Sequence, residues 1–64
     1  MRNISFEALS AAHAALKHEI DELESLARDH AALGVHKTAA IFTMQAVRLE
    51  QAMGEISAAM GGAK

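Results

Sequence analysis

The chain has 64 residues and a formal net charge of −2, so it forms one small domain at most. It contains no cysteine, which excludes disulfides, thiol chemistry and cysteine-ligated zinc. Its six lysines and arginines are scattered among eight acidic residues, which disfavours a basic face for nucleic acid. No apolar stretch approaches the roughly 20 residues of a membrane span or matches a signal peptide, so we expect a cytoplasmic protein without membrane contact.

The first predicted element is a helix over about residues 5–33. Alanine, leucine and other strong helix formers dominate the chain, and proline is absent. Asn3 or Ser5 can cap the helix, because either side chain offers an oxygen to the free N–H groups of the first turn. Gly34 is the predicted stop, since glycine adopts the left-handed conformation at low cost.

A second helix is predicted over about residues 37–60, beginning between His36 and Thr38. Thr38 is a candidate cap, and Gly61 with Gly62 is the expected stop. Gly54 lies inside this helix at a cost of about 1 kcal/mol relative to alanine. It either permits close approach of another chain or is tolerated on an exposed face.

Both predicted helices carry a 4-3 heptad of mainly apolar residues, the spacing that keeps one stripe facing a partner helix. In the first helix this seam comprises Phe6, Leu9, His13, Leu16, Ile20, Leu23, Ala27 and His30. In the second helix it comprises Val35, Ala39, Phe42, Ala46, Leu49, Met53, Ile56 and Met60. Folding the chain at Gly34 sets the seam residues of one helix opposite the seam residues of the other, with Leu23 opposite Ala46 and Ile20 opposite Leu49. The predicted fold is therefore an all-α antiparallel two-helix hairpin.

Apolar residues outside the seam predict self-association into a four-helix bundle or a larger helical oligomer. Leu26 and Leu33 lie outside the seam of the first helix. A second stripe on the other helix comprises Ala40, Ile41, Met44 and Val47, and it is the candidate partner-binding surface. Leaving these side chains in water would expose a sizeable apolar patch, which is typical of an interaction site.

One arrangement of the bundle pairs two antiparallel copies of the first helix, centred between Asp21 and Glu22. It sets His13 of one chain against His30 of the other. In length and layout such a bundle resembles the Rop-like hairpin dimers. RNA binding is what that resemblance implies, but no sequence motif supports it and no RNA-binding residue is carried over.

Two groups of residues could carry chemistry. His13 and His30 could meet at a bundle interface, or each could satisfy its ring nitrogens with water or backbone at a layer edge. Two histidines are too few for a metal, and the Glu-x-x-His motif of di-iron bundles is absent. His36, Lys37 and Thr38 form a candidate anion site, because helix N-termini attract anions.

The functional prediction is a small non-enzymatic homo-oligomer that acts through protein–protein interaction, as an adaptor or regulatory binder. No nucleophile has a convincing base and acid beside it, and we expect no metal and no cofactor. One alternative is an oligomer that binds or sequesters a small anionic ligand, such as a nucleotide, between subunits. The other alternative is a Rop-like RNA binder.

Overall fold

The chain folds into two long helices that pack against each other as a hairpin. The computed structural model describes residues 5–62. Helix α1 spans Phe6–Ala32 and helix α2 spans His36–Gly62. The predicted all-α hairpin is therefore confirmed, with bounds within two residues of those expected. No helix within residues 5–62 is long and apolar enough to cross a membrane.

Ser5 caps the N-terminus of α1. Its backbone is extended, with φ −65° and ψ 153°, and its hydroxyl oxygen accepts the N–H of Ala8 at 3.1 Å. This bond satisfies one of the N–H groups that the first turn leaves without a helical partner. Glu7 adds a negative charge in the same turn, where the helix dipole favours it. The other candidate cap, Asn3, lies outside the described residues.

The turn at Gly34 is a Schellman motif. Gly34 has φ +83°, a left-handed conformation that only glycine adopts without strain. The N–H of Gly34 donates to the carbonyl of Ala31 at 3.0 Å, and the N–H of Val35 donates to that of His30 at 2.8 Å. These two bonds satisfy the last carbonyls of α1 and reverse the chain within three residues, as the predicted glycine stop requires.

The start of α2 at His36 lies within the predicted range, but its expected cap and its expected stop are wrong. Thr38 is not the cap of α2, because the Schellman motif already places Val35 at the cap position. The carbonyl of Val35 accepts the N–H of Ala39 at 3.1 Å, so Thr38 lies inside the first turn. Gly61 and Gly62 do not stop α2, which continues through both. Among the described glycines only Gly34 has a positive φ, and the modest helix cost of glycine does not by itself end a helix.

The core lies along the predicted seam. Every seam residue except Phe6 and Val35 is buried or half-buried. The most buried are Leu9, Ile20, Leu23, Ala27, Ala39 and Ala46. The central cluster joins Ile20 and Leu23 to Ala46, and Leu49 packs against it. This grouping agrees with the predicted register, in which Leu23 is opposite Ala46 and Ile20 is opposite Leu49.

We expect Ser5→Ala to lower the free energy of unfolding by about 1 kcal/mol, because the N–H of Ala8 loses its acceptor. Ser10→Ala is the matched control, since Ser10 is exposed inside α1 and alanine favours the helix there. Urea titration followed by circular dichroism measures both variants. Equal stabilities would contradict the cap.

We expect opposite effects from adding one methyl group at two glycines. No heavy atom lies within 4 Å of the position a Cβ would take at Gly34 or at Gly54. Gly34→Ala should destabilise by about 1–2 kcal/mol, because alanine is strained at positive φ. Gly54→Ala should stabilise by up to about 1 kcal/mol, because the residue is helical. Thermal unfolding at one fixed concentration measures both, and a stabilising Gly34→Ala would contradict the left-handed turn.

Candidate interaction surface

The predicted partner-binding stripe is exposed along α2, with Met44 on its outer face. Met44 is 57% exposed and Val47 is 46% exposed, and Ala40 is also exposed. Met44 stands two residues after Phe42 and two before Ala46, both of which face α1. Two residues correspond to slightly more than half a turn, so Met44 is directed away from α1. Ala40 and Val47 each follow a buried seam residue and so flank Met44 on one side; these three residues are called the outer stripe of α2.

Ile41 is the fourth residue of the predicted stripe. It immediately precedes Phe42, whereas Ala40 and Val47 follow seam residues, so it lies on the other flank of Met44. Its side chain is 54% exposed. On α1, Leu26 immediately precedes the buried Ala27 and is 40% exposed. The four residues thus span the exposed side of α2, with Ile41 on the same side as Leu26, and their role in binding a partner stays a prediction.

Ile41 and Leu26 lie on the same side of the hairpin. An antiparallel helix pair has an approximate twofold axis perpendicular to the plane of the two helices. Positions that immediately precede seam residues are therefore on one side in both helices. The charged, amide and larger apolar members of this pre-core side are Glu19, Glu22, Leu26 and Asp29 on α1 and Ile41, Gln45, Arg48 and Glu55 on α2; alanines such as Ala52 lie between them. Sequence reasoning found its apolar members separately, and the side itself becomes visible only when the helices are paired.

His30 has a structural role in the hairpin. Its Nδ1 lies 2.7 Å from the carbonyl oxygen of Leu26, and because a carbonyl only accepts, the Nδ1–H donates. Its ring centroid lies 5.1 Å from that of Phe42, at a tilt of 56°. This agrees with the layer-edge interpretation, in which the backbone satisfies a ring nitrogen. His13 is half-buried on the same seam. Within residues 5–62, no three histidine or acidic side chains group so as to hold a metal ion.

Polar side chains of α1 form pairs along the helix surface. His18 Nε2 lies 2.9 Å from Glu22 Oε1, and Lys17 Nζ lies 3.7 Å from Asp21 Oδ2. All four side chains are at least 58% exposed. Exposed i, i+4 pairs of this kind contribute a few tenths of a kcal/mol, so they mark a hydrated surface rather than a binding site.

The predicted anion site occupies the first turn of α2. His36 and Lys37 are exposed, Thr38 is half-buried, and the turn contains no acidic residue. The structure thus brings these three residues together at a helix N-terminus, and their role in anion binding stays a prediction.

Comparison of the chain with protein-family models, curated proteins and solved structures found no match in any of the three. Inference of function therefore depends on the surfaces of the chain itself. Two of these surfaces combine apolar exposure with helical regularity, namely the outer stripe of α2 and the pre-core side.

We expect the outer stripe to tolerate a charge that the seam does not. Met44→Asp should change the free energy of unfolding by less than about 1 kcal/mol, because the side chain stays in water. Ala46→Asp should cost about 3 kcal/mol or more, because Ala46 is only 2% exposed and the carboxylate would be buried without a partner. Denaturant unfolding compares the two at one concentration, and equal losses would contradict the assignment of faces.

Proposed function

We propose that this chain is a small homo-oligomeric helical protein that acts through protein–protein contacts rather than by catalysis. Pairs of hairpins form a four-helix bundle, and a helix face left outside the bundle binds a partner protein, as in an adaptor or regulatory binder. A cytoplasmic location, RNA binding and anion capture at His36, Lys37 and Thr38 stay predictions from the sequence.

The observation that carries the proposal is the solvent-accessible surface of the single hairpin, which is larger than a folded monomer of this mass is expected to have. The single hairpin has an accessible surface of 4864 Å². A folded monomer of the same mass, 6.8 kDa, is expected to expose about 3,950 Å². The excess is roughly 900 Å², close to the 800 Å² or so that each partner contributes to a standard protein–protein interface. A second copy of the hairpin is of the right size to remove it.

The exposed surface includes the large residues that ought to form a core. Among the described residues, no large side chain is fully buried. Leu16, Phe42, Leu49 and Met53 all lie on the seam, yet each is only half-buried. Completing the burial of such side chains contributes about 25 cal/mol for each Å² of apolar surface, which favours association of hairpins.

The outer stripe supports the second part of the proposal. Ala40, Met44 and Val47 follow a 4-3 spacing directed away from α1, so they are available to a foreign helix that lies along α2. Methionine adapts its shape to different partners because its side chain is unbranched and flexible. The chemistry expected of the partner is therefore an amphipathic helix with an apolar face.

We expect the molar mass in solution to exceed that of one chain at micromolar concentration and to rise toward an integral multiple of it. Sedimentation equilibrium or light scattering over a hundredfold range of concentration measures this. The melting temperature should also rise with concentration, because association stabilises only the folded chain. A well-folded helical monomer at every concentration would contradict the proposal.

A further inference from the structure

We infer that a second copy of the chain docks on the pre-core side, with α1 of each chain lying against α2 of the other and both turns at the same end. The inference rests on the proposed homo-oligomer and specifies its interface. Two observations select this arrangement: the uneven distribution of apolar residues between the sides of the hairpin, and one level of complementary charge.

The two sides of the hairpin differ in polarity. The pre-core side exposes Leu26 and Ile41, and Leu33 continues the α1 row one heptad after Leu26 with 78% exposure. On the opposite side, α1 carries the exposed charged residues Lys17, Asp21, Glu24 and Arg28, and Val47 is the one exposed large apolar residue among the described positions of that side. A helical hairpin that must cover apolar area therefore gains more from a copy on the pre-core side.

The middle of the pre-core side carries charges of both signs at one level, meaning at the same height along the hairpin axis. Glu19 and Glu22 immediately precede Ile20 and Leu23 on α1, and Arg48 immediately precedes Leu49 on α2. Ile20 and Leu23 belong to the same cluster as Ala46, against which Leu49 packs. Since these core residues share a level, the two glutamates and the arginine next to them share it as well.

A twofold axis can stack fully overlapping hairpins on this side in two ways. With the axis perpendicular to the helices, α1 lies on α1 of the second copy, and α2 lies on α2. Arg48 then meets Arg48, and Glu19 and Glu22 meet the same glutamates. Like charges brought together at an interface are costly, so this arrangement, which the antiparallel pairing of first helices requires, is disfavoured.

With the axis parallel to the helices, α1 lies on α2 of the second copy. Each residue then keeps its height along the hairpin axis. Arg48 then meets Glu19 and Glu22 of the other chain, and the symmetry forms this cluster twice. Glu22 uses Oε1 to accept from His18, so Oε2 stays available to the guanidinium. The same stacking brings Leu26 to the level of Ile41 of the second copy, because Ala27 and Phe42 are opposite in the register of the hairpin. Charge and apolar contacts thus agree on one arrangement.

Charge reversal tests the interface. We expect Arg48→Glu, and separately the pair Glu19→Arg with Glu22→Arg, each to raise the dimer dissociation constant about tenfold in low salt. All three changes in one chain should restore the dissociation constant to within about threefold of the original. A mixture of the Arg48→Glu chain with the double-glutamate variant should also associate tightly, because the contacts are between chains.

Glu24→Arg, on the opposite side of the hairpin, is the control and should leave the dissociation constant unchanged. Sedimentation equilibrium measures all five samples, with circular dichroism as the check on helix content.

The outcomes separate this interface from the proposed function. A dimer that no reversal weakens and that the mixture does not tighten would overturn the docking side and leave self-association intact. Single reversals that leave the constant unchanged, with a mixture that associates more tightly than the wild type, would overturn the parallel axis, because like-on-like stacking sets each changed residue against its own copy in the homodimer and against the opposite charge in the mixture. A wild-type chain that stays monomeric would overturn the proposed function as well.

The position of the turns gives an independent measurement. The native chain has no cysteine, so Lys37→Cys provides a unique site for a spin label beside the turn. The hairpin is 47 Å long. With both turns at one end of the bundle, the two labels should lie about 20 Å apart, twice a typical spacing between packed helices. Double electron–electron resonance that reports a distance near the hairpin length would overturn the arrangement.

Discussion

Two helices in contact can cover only one side of each other, and most properties of this chain follow from that limit. Alanines lie nearest the contact: Ala46 is 2% exposed, while its larger seam neighbours Phe42 and Leu49 stay half-buried. Small residues let the backbones approach, and large ones such as Phe42 and Leu49 keep part of their surface where nothing in a single hairpin covers it. The molecule therefore has the patterning of a helical core but only part of its burial. Association of hairpins is the physical remedy open to a chain without disulfides.

The turn at Gly34 determines how the rest of the structure is paired. Its positive φ and the two bonds of the Schellman motif reverse the chain with Val35 already at the start of α2. That start places Ala46 beside Leu23 and Ile20, and so places Arg48 level with the glutamates that precede them. A local backbone requirement thus decides which charges share a level on the pre-core side. The proposed interface depends on this register, since a shift of one heptad would separate the arginine from both acids.

The candidate surfaces are helix faces, and the polar residues near them mainly serve the fold. His30 donates to the carbonyl of Leu26 and lies against the ring of Phe42, so it completes the layer next to the turn. His18 and Lys17 form exposed pairs on their own helix. Specificity in such a protein has to come from the shape and charge of its helix faces, because these carry the apolar exposure and the unevenly placed charges.

The sequence by itself determined the two helices, the Ser5 cap, the Gly34 stop and the seam, because these depend on local propensity and on spacing within one helix. It failed at Thr38 and at Gly61 with Gly62. A helix start depends on how the preceding turn ends, and a glycine stops a helix only where the backbone takes a positive φ. The tertiary structure alone decided that Ile41 of α2 and Leu26 of α1 lie on the same side of the hairpin. A heptad shows which residues share a face, but only the pairing of antiparallel helices decides which faces of different helices lie on the same side.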